Sequence, residues 1–196
     1  MLITIPQGSK CSNDFHSVKK NSDYLEFTFS LNSNWDRLLN YLTTDRIKLG
    51  LSPDVTTHKI FGLTNQNILL DLFRIPDSIR LGIRPHKDVK TQLWSYIPVC
   101  YVHQGGVRYY PRMEGELKLF TQYVCQITKK TSGYSITLIE ASSKSTVFEY
   151  VLPKYVPPVL NSSCRTSPPW IEPLSYVGSG KTGVPFDIVT EISVVA

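Results

Sequence analysis

The sequence predicts a mainly β protein, a two-sheet antiparallel β-sandwich of about eight strands with one or two short helices and long loops. Three observations lead there. Segments in which apolar and polar residues alternate recur along the chain, and a period of two is the mark of a half-buried strand. There is no alternation of strands with helices and no internal repeat, so a parallel sheet is not expected. Aromatic and β-branched residues crowd the strand segments, among 11 Tyr and 8 Phe, enough to fill the space between two sheets without a cofactor.

Tyr24–Leu31 alternates without a break and puts Leu25, Phe27, Phe29 and Leu31 on one face of a strand. Asn34–Leu42 follows with the 3.6-residue spacing of a helix. Trp35, Leu38, Leu39 and Leu42 form its apolar stripe, and Asn34 is the expected N-cap. Ile68–Phe73 fits strand and helix equally. Ile79–Arg84 alternates as a strand ended by Pro85. Leu93–His103 is an apolar and aromatic run broken by Pro98, hence an edge or bent strand. Val107–Tyr110 resumes after Gly105-Gly106. Glu116–Ile127, Tyr134–Ile139, Thr146–Leu152 and the terminal Asp187–Val194 complete the strands. Six prolines in residues 153–173 exclude a strand inside a sheet and indicate a surface loop or arm. Residues 1–196 then form one domain, a size that buries a substantial core.

Composition narrows the function classes. Hydrophobic residues make up 41% and charged residues 19%, which argues against disorder and against a coiled coil. The net charge of +5 permits an anionic partner, but the basic residues are scattered. Lys19-Lys20 and Lys129-Lys130 are the adjacent pairs, and there is no arginine-rich arm. Cys11, Cys100, Cys125 and Cys164 form no C-x-x-C pair and are expected to be free, partly buried thiols. His16, His58, His86 and His103 lack metal-site spacing, so no metal and no cofactor are expected. The N-terminus lacks the pattern of a secretory signal, and no apolar stretch approaches 18 residues, so no membrane partner is expected.

The string Gly178-Ser179-Gly180-Lys181-Thr182 imitates the end of a phosphate-binding loop. The first glycine of that motif is replaced by Ser175, and Pro185 stands where the helix must begin. Only 14 residues follow Thr182, too few to supply a later magnesium-holding carboxylate. A flexible loop leading into a last strand is the expectation. Glu114 and Glu116, two residues apart on one strand face, are the nearest approach to a paired-carboxylate site. Beside Arg112 and Lys118 they read as a solvated face. No nucleophile motif is present, and the chain is not expected to be an enzyme.

Gly105–Arg112 interleaves arginine with aromatics, and Arg108, Tyr109, Tyr110 and Arg112 are the candidate contact residues. Three readings stand side by side: a stacking platform for single-stranded RNA, anchors of a protein interface, or tyrosines filling the core.

With its flanks, "SYIPVCYVHQGGVRYYPRMEGELKL" (Ser95–Leu119) resembles the strand region of jelly-roll coat proteins of picorna-like viruses. "DSIRLGIRP" (Asp77–Pro85) and "VFEYVLPKYVPP" (Val147–Pro158) add to the likeness, which spans about 80 residues; Gln104 stands where the pattern has arginine. The resemblance implies a jelly-roll capsid subunit without active site or cofactor. Such a subunit self-associates with other capsid subunits around an RNA genome, in the virion and, during assembly, in the host cytoplasm. The alternative is a monomeric RNA-binding accessory protein, viral or of host defence, that uses the Arg/Tyr strand surface.

Overall fold

The computed structural model describes residues 2–8, 24–55, 57–64, 78–104, 107–109, 115–130, 133–151, 165–167, 170–171 and 185–195. In chain order the elements are β1 (Leu2–Ile5), β2 (Tyr24–Ser30), α1 (Ser33–Asn40), a π-helical turn (Tyr41–Asp45), α2 (Arg46–Lys48), β3 (His58–Thr64), β4 (Ser78–Lys87) and β5 (Trp94–Gln104). Then come β6 (Val107–Tyr109), β7 (Gln122–Lys130), β8 (Gly133–Glu140), β9 (Thr146–Val151), β10 (Arg165–Ser167), β11 (Trp170–Ile171) and β12 (Ile188–Val195). The fold is the two-sheet antiparallel β-sandwich that the sequence predicts. One sheet runs β1-β12-β2-β7-β8-β9; the other runs β10-β3-β4-β5-β6, with β11 also on β3.

Twelve strands are described where about eight are expected: β1, β10 and β11 have four residues or fewer and β3 has no clear alternation, while the short β6 is the expected Val107–Tyr110 strand. Consecutive strands stay together: β3 to β6 meander in the second sheet and β7 to β9 in the first, while β12 returns beside β2. The core lies between the sheets. Alternation in β2 buries Leu25, Phe27 and Phe29, and the Phe27 ring meets Phe61 of the facing sheet edge-on, 5.1 Å between centroids. Ile79, Leu81 and Ile83 of β4 and Cys100 and Val102 of β5 complete that inner face. Both described thiols, Cys100 and Cys125, are free and buried, as expected. Desolvation pushes their pKa values well up, so they are unreactive core residues.

Several sequence expectations are corrected. The N-cap of α1 is Asn32, two residues earlier than the expected Asn34. Its backbone is extended, its side-chain oxygen accepts from Asn34 N at 3.0 Å, and its side-chain nitrogen donates to Val189 O. The helical segment also runs on past Leu42 to Lys48, through a π-turn at which Thr43 Oγ1 donates to Leu39 O. Pro85 does not end β4. Beyond Ile83 that strand pairs with β5 alone, so a residue without an N–H is tolerated there. Pro98 likewise lies where β5 has β4 on one side and, among the described strands, none on the other, the edge position expected of it.

Glu116–Ile127 is not one strand. Leu117 forms a single bridge to Tyr96, a turn follows at Leu119-Phe120, and β7 begins at Gln122. Lys118 N donates to the Tyr123 hydroxyl, folding the segment back on itself. Within residues 153–173, β10 and β11 pair with β3, so part of this proline-rich stretch adds short edge strands. The rest of it, Ile68–Phe73 and Gly178–Thr182 lie outside the described residues.

Candidate anion-binding face

The second sheet has a face turned away from the core, and its composition is unusual. Alternation in β4 that sends Ile79, Leu81 and Ile83 inward sends Arg80, Gly82, Arg84 and His86 outward. Register adds their neighbours on that face: Arg80 lies opposite Tyr101 on β5 and Gly62 on β3, and Gly82 lies between Val99 and Lys59. Three basic side chains and a histidine thus share one surface, with about 6.6 Å between alternate positions along the strand.

Two glycines make this arrangement possible. A Cβ on Gly62 would stand 2.2 Å from Ile79 O, 2.5 Å from Arg80 Cα and 2.9 Å from Arg80 Cγ, so only a missing side chain lets the Arg80 stem pass. A Cβ on Gly82 would stand 2.7 Å from Thr57 Cγ2, which already fills that space. Lys59, opposite Gly82, extends until its Nζ lies 4.0 Å from the centre of the Tyr101 ring, a cation–π contact in a setting with little water.

Arg80 is 7% exposed, and its Nε makes no hydrogen bond among the described residues. Burial lowers its pKa to about 10, against a raising influence of Tyr101, so it remains charged at neutral pH. A guanidinium held in this way is costly, because a buried charge is normally paired. Exposure increases along β4: Arg80 is buried, Arg84 and His86 are half-buried, and Lys87 is exposed. The strip therefore has an accessible end at Arg84 and His86 and a desolvated end at Arg80 and Lys59. Chemically it can hold anionic oxygen atoms. It offers no nucleophile with an adjacent base.

Of the residues named from sequence, Arg108 and Tyr109 fall on β6, where Arg108 pairs with His103 and Tyr109 with Val102. Tyr110, Arg112 and Glu114 lie outside the described residues, and Glu116 is exposed. Lys59, Arg80, Arg84 and Tyr101 were not named from sequence as contact residues. Their signal was nevertheless present in Ile79–Arg84, where arginines occupy the face opposite three aliphatics.

A second polar group is enclosed at the end of the sandwich. His58 is 1% exposed, lies edge-on to Trp35 and Tyr96, and has no hydrogen bond at Nδ1 or Nε2. Desolvation lowers its pKa to about 4, against a raising influence of Asp54. Tyr96 donates through its hydroxyl to Trp35 O at 3.1 Å, and Trp35 Nε1 donates to Thr190 Oγ1 at 2.9 Å. Aromatic walls and the absence of a nucleophile make this a packed core histidine. Among the described residues no group of three or more His, Cys, Asp or Glu could hold a metal ion.

A scan against protein-family models finds no match, and no curated protein matches the sequence.

Proposed function

We propose that this protein acts by binding and not by catalysis, and that the outward face of β3–β4–β5 takes up an anionic polymer, with single-stranded RNA as its occupant. The observation that carries this reading is Arg80, a buried charge whose Nε makes no hydrogen bond among the described residues, in line with Arg84 and beside Lys59. A fold does not hold such a group for stability; an anion entering from the Arg84 end would neutralise it. Arg108 lies on β6, the strand that pairs with β5 in the same sheet, within the Arg/Tyr segment singled out from sequence. Phosphates supply the anion and contribute affinity without sequence reading.

The test is fluorescence anisotropy of a labelled single-stranded oligonucleotide across a salt series. Arg84→Ala is expected to weaken binding about tenfold and to flatten the slope of log affinity against log salt by about 0.7, the value of one lost phosphate contact on a single strand. Arg108→Ala combined with Tyr110→Ala is expected to weaken it further. Equal affinity and equal slope in all three proteins would remove the reading.

The self-associating coat subunit is a second reading, and a different observation favours it. Ile47, Leu49, Leu51 and Val55 are 53%, 70%, 43% and 45% exposed, four large aliphatics within nine residues of the segment that ends the helix. An exposed apolar group of this kind suits contact between neighbouring subunits. Light scattering at high concentration separates the two, since a strict monomer contradicts a coat subunit and leaves the RNA reading intact. The strand order, two meanders and a return, does not argue for either.

A further inference from the structure

We propose that the end of the sandwich bearing the β4–β5 turn docks on an anionic lipid bilayer, with Val89, Leu93 and Phe120 entering the headgroup layer and Lys87 and Lys90 meeting lipid phosphates. Val89 is 82% exposed, Leu93 68% and Phe120 71%, three of the most exposed large apolar side chains among the described residues. They belong to one end of the molecule. Antiparallel pairing of Tyr96 with Leu117 carries residues 117–120 along β5 toward Trp94, and so toward the turn that precedes it.

Both turns are held in place from within. Asp88 Oδ1 accepts from Lys90 N at 2.9 Å, Thr91 N at 2.6 Å and Thr91 Oγ1 at 2.9 Å. Asp88 N donates to Leu93 O, Gln92 N donates to Asp88 O, and Gln92 Nε2 donates to Val89 O. These turn N–H groups and one oxygen of the carboxylate are thereby engaged, and the ionised Asp88 keeps the turn at headgroup depth, where water still reaches it. Val89 and Leu93 are left pointing out of a hydrogen-bonded frame. Phe120 adds an independent sign. It sits at φ 59°, a left-handed conformation that is strained for a bulky residue, while Phe120 N donates to Leu31 O at 2.7 Å.

The charges select the partner. Lys87 and Lys90 flank Val89, and both are exposed. Asp88 between them is held in the turn and stays ionised, so Lys87–Lys90 keeps an excess of positive charge. Lys118, next in line, is engaged by Glu140 at 3.4 Å, and Glu116 is exposed nearby. A protein partner is disfavoured by shape. Stable protein interfaces bury about 1,200–2,000 Å² in all, whereas three side chains on a convex end offer far less. Shallow insertion of a few apolar side chains beside lysines is how peripheral proteins hold an anionic membrane surface. No described helix is long and apolar enough to cross a membrane, and surface docking requires none.

The experiment is co-sedimentation of the full chain with vesicles of phosphatidylcholine alone and of phosphatidylcholine mixed with phosphatidylserine. Binding is expected to the mixed vesicles, with a preference over phosphatidylcholine that high salt removes. The triple variant Val89→Ser, Leu93→Ser, Phe120→Ser is expected to bind at least about tenfold more weakly with an unchanged unfolding midpoint. Lys87→Gln with Lys90→Gln is expected to lose the preference for phosphatidylserine. Phe120→Gly separates docking from folding: it relieves the left-handed strain and raises the midpoint, yet weakens vesicle binding. Wild-type protein that remains in the supernatant with both vesicle types overturns the proposal. So does a triple serine variant that sediments like the wild type, which would point to the cationic sheet face instead.

Discussion

Trp35→Ala is expected to destabilise the protein by about 3–5 kcal/mol, the range for truncating a large aromatic in a packed core. Trp35 is 1% exposed and fixes the helix to both sheets. Its indole N–H binds Thr190 on β12, its carbonyl accepts from Tyr96 on β5, and its ring meets His58 on β3 and Tyr96 edge-on. Alanine leaves a cavity at the end of the sandwich and one buried hydroxyl, Thr190 Oγ1, without its donor. Urea unfolding gives the figure directly. A loss below about 1 kcal/mol would show that this end of the core closes without the helix.

Acid is expected to remove about 3 kcal/mol of stability through His58. Its pKa is about 4 in the fold and about 6.5 in an unfolded chain, so between these values the unfolded state binds the additional proton. Stability from this group is complete above about pH 6.5, falls as the pH drops, and levels off near pH 4. Other carboxylates titrate in the same window, so the comparison needed is with His58→Leu. That variant is expected to lose less stability than the wild type between about pH 7 and about pH 4, with a difference close to 3 kcal/mol. Identical acid profiles would mean that the imidazole is hydrated or paired. In Trp35→Ala, where the imidazole gains access to water, the same difference is expected to shrink.

How far the sequence foretells this structure depends on the kind of signal. Tyr24–Leu31 could be read because one face is buried and the other is not, and every alternate side chain reports it. The helix stripe Trp35, Leu38, Leu39 and Leu42 was legible for the same reason. His58–Thr64 was not, since a bulge between Lys59 and Phe61 breaks the period and leaves Ile60 buried. Phe120 misled in the opposite way: its neighbours alternate, but a backbone hydrogen bond to Leu31 and a left-handed φ impose a turn. Arg80 and Arg84 could be seen as the polar side of a strand. Their importance could not, because it depends on Gly62 and Tyr101, brought beside Arg80 by register across three strands. Contact residues were sought in the one segment Gly105–Arg112, whereas the proposed face is assembled from residues scattered over some 40 positions.

The cationic strip is tested most directly by measuring stability and RNA affinity together in Arg80→Met, which keeps the stem that crosses Gly62 and removes the charge. A side chain retained for binding predicts a variant more stable by about 1–3 kcal/mol, since a buried charge is lost, and about tenfold weaker in binding. A variant less stable than the wild type, with RNA affinity unchanged, would contradict it.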